Sequence, residues 1–166
     1  MQGKYWLVMT VAACGLAAAG AAFGANKAVF VGTPGPDSLY GTASGDVIYG
    51  KAGSDSLHGR AGNDVIYGGA GDDVIRGGDG NDVEYGGRGN DTMWVGRGTD
   101  AEYGGPGNDV LHALADDNRL DVVDCGAGHD VAWLNVAERG KYVIRGCEVR
   151  NWIVPTAEQA AEETGE

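Results

Sequence analysis

Basic side chains are scarce in this chain of 166 residues: 12 lysines and arginines stand against 24 aspartates and glutamates, for a formal net charge of −12. Such acidity repels nucleic acid and attracts cations. Histidine and cysteine are sparse too, at three each, and His58, His112 and His129 show no zinc spacing. No serine or cysteine sits in a nucleophile motif, so the chain reads as a non-enzyme. Beyond residue 24 no apolar run is long enough to span a membrane. Glycine, by contrast, is abundant at 31 residues, too many for a conventional helical or sandwich core in one domain of this length.

The first 24 residues stand apart. Lys4 precedes the apolar run Tyr5-Trp6-Leu7-Val8-Met9, and an alanine-rich stretch ends at Ala22-Phe23-Gly24. This is the pattern of a secretory signal peptide, with small residues three and one before a cut that leaves Ala25 first. Two other readings stay open. One is a retained membrane anchor, which Gly15, Gly20 and the many alanines weaken. The other is a lipoprotein box, Val11-Ala12-Ala13-Cys14, with a lipid anchor at Cys14, which the further apolar stretch after Cys14 disfavours. The expected location is therefore secreted, with a cell-surface lipoprotein as the alternative. In an exported protein Cys125 and Cys147 form an even pair, for which a disulfide is the default reading; a reactive thiol or metal pair lacks a second Cys or His at ligand spacing.

Cut in nines from Gly32, residues 32–112 give nine rows, and every row carries aspartate at its sixth place: Asp37, Asp46, Asp55, Asp64, Asp73, Asp82, Asp91, Asp100 and Asp109. Glycine holds the first place except at Val95, and the fourth except at Ser44. Each row divides into a six-residue turn, where glycine permits positive φ, and a three-residue strand such as Val47-Ile48-Tyr49. The eighth place (Leu39, Ile48, Leu57, Ile66, Ile75, Met93, Leu111) points inward and makes a thin core. Two rows close one winding, so alternate rows stack on opposite sides with strands ~4.8 Å apart. Carboxylates and glycine-freed carbonyls then face the gaps between stacked turns. Such hard oxygen donors suit Ca²⁺ better than Zn²⁺ or Mg²⁺. Simple turn formers would scatter Asn and Ser into the sixth place, where only Asp occurs.

The rows Gly68 to Arg76, Gly77 to Tyr85, Gly86 to Trp94 and Gly104 to His112 fit the pattern GGxGxDxUx best. In this the chain resembles the RTX, or haemolysin-type, calcium-binding repeat family. The resemblance implies an all-β, parallel β-roll with several Ca²⁺ ions held between turns two rows apart. The ligands it implies are the sixth-place aspartates and backbone carbonyls of the turn glycines, here Gly50, Gly53, Gly59, Gly62, Gly68, Gly71, Gly77, Gly80, Gly86, Gly89, Gly104 and Gly107. Toxin or hydrolase activity, which long family members carry in other domains, does not transfer.

After His112 the period breaks for Ala113-Leu114-Ala115 and resumes in rows 116–124 and 125–133, which place Asp121 and Asp130 at the sixth position, facing Asp100 and Asp109. The expected organisation is a signal peptide over 1–24, the roll over 25–133 with Phe30 plugging its first coil, a cap over 134–154 and a disordered acidic tail over 155–166. Two anomalies stand out. Tyr49, Tyr67, Tyr85 and Tyr103 form an outward ladder, read either as sheet support or as a contact surface for a cell-surface or glycan ligand. Glu84 and Glu102 break the apolar eighth place one rung apart, read either as imperfect core or as an extra cation site or buried acid pair. The sequence thus points to a secreted calcium-binding module that folds on binding Ca²⁺, with a structural or adhesive role; a glycan binder and a secreted hydrolase are the rivals.

Overall fold

The computed structural model describes residues 8–9, 27–115 and 117–156. Most of the leader, including Cys14, and nearly all of the acidic tail lie outside the described residues. In chain order the strands are β1 (Val8–Met9), β2 (Val29–Val31), β3 (Ser38–Tyr40), β4 (Val47–Ala52), β5 (Ser56–Ala61), β6 (Val65–Ala70), β7 (Val74–Asp79), β8 (Val83–Arg88), β9 (Thr92–Arg97), β10 (Ala101–Pro106), β11 (Val110–Ala113), β12 (Asp121–Ala127), β13 (Val131–Asn135), β14 (Tyr142–Arg145) and β15 (Val149–Ile153). From β2 onward strands alternate between two parallel sheets, ordered β1-β2-β4-β6-β8-β10-β12-β14 and β3-β5-β7-β9-β11-β13-β15. The result is an all-β parallel solenoid of about 7 turns, a β-roll.

Register follows the period. Val47, Ile48 and Tyr49 pair with Val65, Ile66 and Tyr67, eighteen residues on, and every identical place stacks in this way. The insertion at 113–115 keeps the sides in step: β10 still pairs with β12, and β11 with β13. Strands β4 to β10 run longer than the expected three residues, however. They continue through the first three places of the next row, as in Val47–Ala52, whose burial alternates through the inward Gly50. Stacking on the coil below supplies the pairing that glycine's weak strand propensity does not.

The core is one side chain thick. Leu39, Leu57, Ile75, Met93 and Leu111 line one sheet, Ile48, Ile66 and Val123 the other, all buried, with Phe30 partly buried against them. Corners need glycine at the fourth place: Gly71 has φ of +131°, and a Cβ there would strike the Gly53 carbonyl of the turn below.

The segment read as a cap is itself a further winding. β14 pairs with β12 and β15 with β13, adding one strand to each sheet. Cys125 and Cys147 are joined by a disulfide, their Cα atoms 5.1 Å apart, which ties that last winding to the one before it. Asn135 Nδ2 donates to the carbonyls of Leu114 and Ala115, and Tyr142 Oη donates to that of Ala113, so the inserted residues are tucked under the final coil. Among the described residues no helix is long and apolar enough to cross a membrane.

Candidate metal centre

Every sixth-place aspartate, from Asp37 to Asp130, is buried, and its two oxygens have different surroundings. Oδ1 accepts the backbone N–H of the aspartate one coil earlier: Asp37, Asp55, Asp73 and Asp91 donate to Asp55, Asp73, Asp91 and Asp109, each at 2.8 Å. On the other side Asp46, Asp64 and Asp82 donate to Asp64, Asp82 and Asp100 at 2.6 to 2.8 Å. Asp100 and Asp109 reach across the insertion to Asp121 and Asp130 at 3.0 and 2.8 Å. The Oδ2 atoms of Asp55, Asp64, Asp73, Asp82, Asp91, Asp100, Asp109 and Asp130 are buried and accept no hydrogen bond.

These second oxygens converge on the first-place glycines. A Cβ on Gly68 would stand 2.5 Å from both Asp73 Oδ2 and the carbonyl oxygen of Gly86, and Gly50, Gly59, Gly86 and Gly104 meet the same pair of groups in their own rows. Gly77 meets its Asp82 Oδ2 at 2.6 Å. No side chain fits at these places, because the point a Cβ would occupy is already closed in on by a carboxylate oxygen and a carbonyl from the next coil. The fourth-place glycines Gly53, Gly62, Gly71, Gly80 and Gly89 form the outer corners against the backbone of neighbouring turns, and Gly107 does the same. The structure therefore separates the two glycine sets.

Burial raises the pKa values of this column: Asp64, Asp73, Asp109 and Asp121 are pushed up to about 6, Asp82 and Asp91 to about 7 and Asp100 to about 8, with the neighbouring carboxylates adding to the effect. The N–H donated by the coil below opposes the shift in each case. Asp55 moves in the same direction. Buried carboxylates in this state call for a positive charge. No three His, Cys, Asp or Glu side chains cluster to hold a metal among the described residues, so an ion here must draw on carbonyls as well. Carboxylate and carbonyl oxygens in an adaptable cage fit Ca²⁺ and not Zn²⁺.

The rows are not equivalent. At Asp37 and Asp46 the second oxygen accepts from the backbone N–H and hydroxyl of Thr33 and Thr42. At Asp100 and Asp130 the first-place glycine is replaced by the buried Val95 and Cys125. Sequence reasoning also missed a second ladder. Fifth-place side chains accept the fifth-place N–H of the next coil, as in Asn81 to Asn63, Asn90 to Asp72, Asn108 to Asn90 and His129 to Asn108. Glu148 was missed as well: it accepts the Asp130 N–H at 2.8 Å, and counting eighteen on from Asp130 finds it.

The RTX calcium-binding nonapeptide repeat model matches in 4 copies, over residues 29–57, 49–84, 85–101 and 103–132. A search of curated proteins found no match. With most of its length matched and its aspartates and glycines stacked as described, the chain belongs to the RTX calcium-binding nonapeptide repeat family, which implies that it binds Ca²⁺.

Proposed function

We propose that this chain is a secreted structural module whose roll assembles as Ca²⁺ enters the gaps between stacked turns, with the sixth-place aspartates and the first-place glycine carbonyls as ligands. One observation carries the reading. Among the described residues fourteen carboxyl side chains are buried, eleven Asp plus Glu84, Glu102 and Glu138, and no Lys, Arg or His is buried beside them. A protein core does not hold so many anions without compensation. Ca²⁺, when bound, supplies that charge.

The tyrosine ladder supports a structural role over a glycan-binding one. Tyr49, Tyr67, Tyr85 and Tyr103 stack with ring centroids 4.9 to 5.0 Å apart and planes within 11°. Each interior ring gives both faces to its neighbours and turns only an edge and a hydroxyl outward, whereas sugar stacking needs a face. The test is calcium titration of the chain followed by far-UV circular dichroism. We expect little β-structure in chelator, a cooperative gain at millimolar calcium, and poor replacement by magnesium. An unchanged spectrum after verified metal removal overturns the reading.

A further inference from the structure

We infer that Glu84 is an additional calcium ligand at the Asp82 gap, and that Glu84 with Glu102 makes this point the first in the roll to take up the ion. The inference rests on the calcium reading above and concerns which residues set the order of binding.

Both glutamates stand at the eighth place of their rows, where the same sheet otherwise presents Ile48, Ile66 and Val123, and both are 0% exposed. They face each other across the β8–β10 pair in direct register. The decisive geometry is at Gly77. At Gly68 the point a Cβ would occupy is closed in on by two oxygens, Asp73 Oδ2 and the Gly86 carbonyl. At Gly77 it meets three: Asp82 Oδ2 at 2.6 Å, Glu84 Oε1 at 2.6 Å and the Val95 carbonyl at 2.7 Å. Asp82 is itself 1% exposed, and its Oδ2 accepts no hydrogen bond, so a buried unpartnered oxygen points to the same place.

A core-filling role accounts poorly for glutamate here. Isoleucine is the resident of the two preceding rungs, and a buried carboxylate costs several kcal/mol more than an aliphatic side chain unless a cation answers it. No basic side chain is buried among the described residues. At Gly77 two carboxylates, Asp82 and Glu84, close on one point, where Gly50, Gly59, Gly68, Gly86 and Gly104 each meet one. Affinity for Ca²⁺ rises with the number of charged ligands. Rungs lie on both sides, so a coil fixed here propagates in both directions.

The experiment compares calcium titrations of the full chain with those of Glu84→Gln and Glu84→Ile, read by calorimetry and circular dichroism. Glu84→Gln keeps volume and an oxygen but removes the charge; Glu84→Ile restores the aliphatic column. We expect both to raise the calcium midpoint, Glu84→Ile by about tenfold, and the tightest-binding phase to weaken or vanish. A midpoint unchanged or lowered in both variants overturns the inference, since that is what a mere core position gives. If Glu84→Ile does not fold at any calcium level, Glu84→Gln decides alone. A parent chain that takes up no calcium overturns the underlying calcium reading, whereas a parent that binds with the same midpoint as both variants overturns only the role of Glu84.

Discussion

The two oxygens of a sixth-place aspartate separate two roles that a single substitution usually merges. At Asp91, Oδ1 accepts the Asp73 N–H at 2.8 Å and fastens one coil to the next, while Oδ2 is buried without a hydrogen-bond donor. Asp91→Asn retains an acceptor for the coil-to-coil bond and deletes the charge. Asp91→Ala deletes both and strands the buried Asp73 N–H, at a cost of about 1–3 kcal/mol. In chelator at about pH 5, where protonated carboxyls let the metal-free roll form, Asp91→Asn should therefore resist urea at least as well as the parent, and Asp91→Ala should be weaker than either. In saturating calcium both variants should fall below the parent. Urea melts under the two conditions check this, and an Asn variant that behaves as the parent in calcium counts against Oδ2 as a ligand.

Within the strands and turns, stacking repeats each local chemistry eighteen residues on, so carboxyls form columns whose members hinder one another's ionisation. Asp64, Asp82 and Asp100 run from about 6 to about 8 along one column, through burial first and neighbouring carboxylates second. Folded values raised above about 3.9, the unfolded value, mean that the metal-free roll binds more protons than the open chain. That contribution is fully present below about pH 3.9 and disappears as pH rises through 6 to 8. A calcium-stripped sample should thus gain β-structure between pH 8 and pH 5 with no metal added; a flat circular dichroism signal over that range rejects the assignment. The same repetition explains what the sequence shows openly. Asp37 to Asp109 at fixed spacing announce the coils, because each place meets its own copy and cannot drift. Where stacking overrides propensity the signal fades: Gly68-Gly69-Ala70 reads as turn, yet it completes β6 by lying on Lys51 and Ala52. The final winding, β14 and β15, is hidden for a different reason. It carries neither the glycine pair nor an aspartate, and its coil-to-coil acceptor is Glu148. The fifth-place ladder is also masked, since Asn63, Asp72, Asn81 and Asn90 are ordinary turn residues until their partners one coil away are known.

For the whole molecule, each coil touches only its neighbours, so stability is a sum of weak coils and strong junctions. A junction forms only when both of its turns are folded, and metal binding and propagation then reinforce each other. Position in the stack should consequently set the cost of losing an aspartate. Asp73 lies between Asp55 and Asp91, bonded to both through Oδ1 and N–H, with its Oδ2 unpartnered. Asp37 opens its column, has one aspartate neighbour in Asp55, and its Oδ2 accepts from the Thr33 N–H and hydroxyl instead. Asp73→Ala removes the Oδ2 ligand from its own gap and the Oδ1 acceptor from the junction with Asp55, in the middle of the roll, and splits the array into two shorter ones. Asp37→Ala trims one end. The first should raise the calcium midpoint, lower cooperativity and reduce the number of ions bound, and the second should do much less of each. If the aspartates acted only as turn formers, the two substitutions would cost similar small amounts and leave the stoichiometry alone. Isothermal titration of both variants beside the parent separates these cases, and equal stoichiometry in all three is the outcome the stacked-junction account cannot survive.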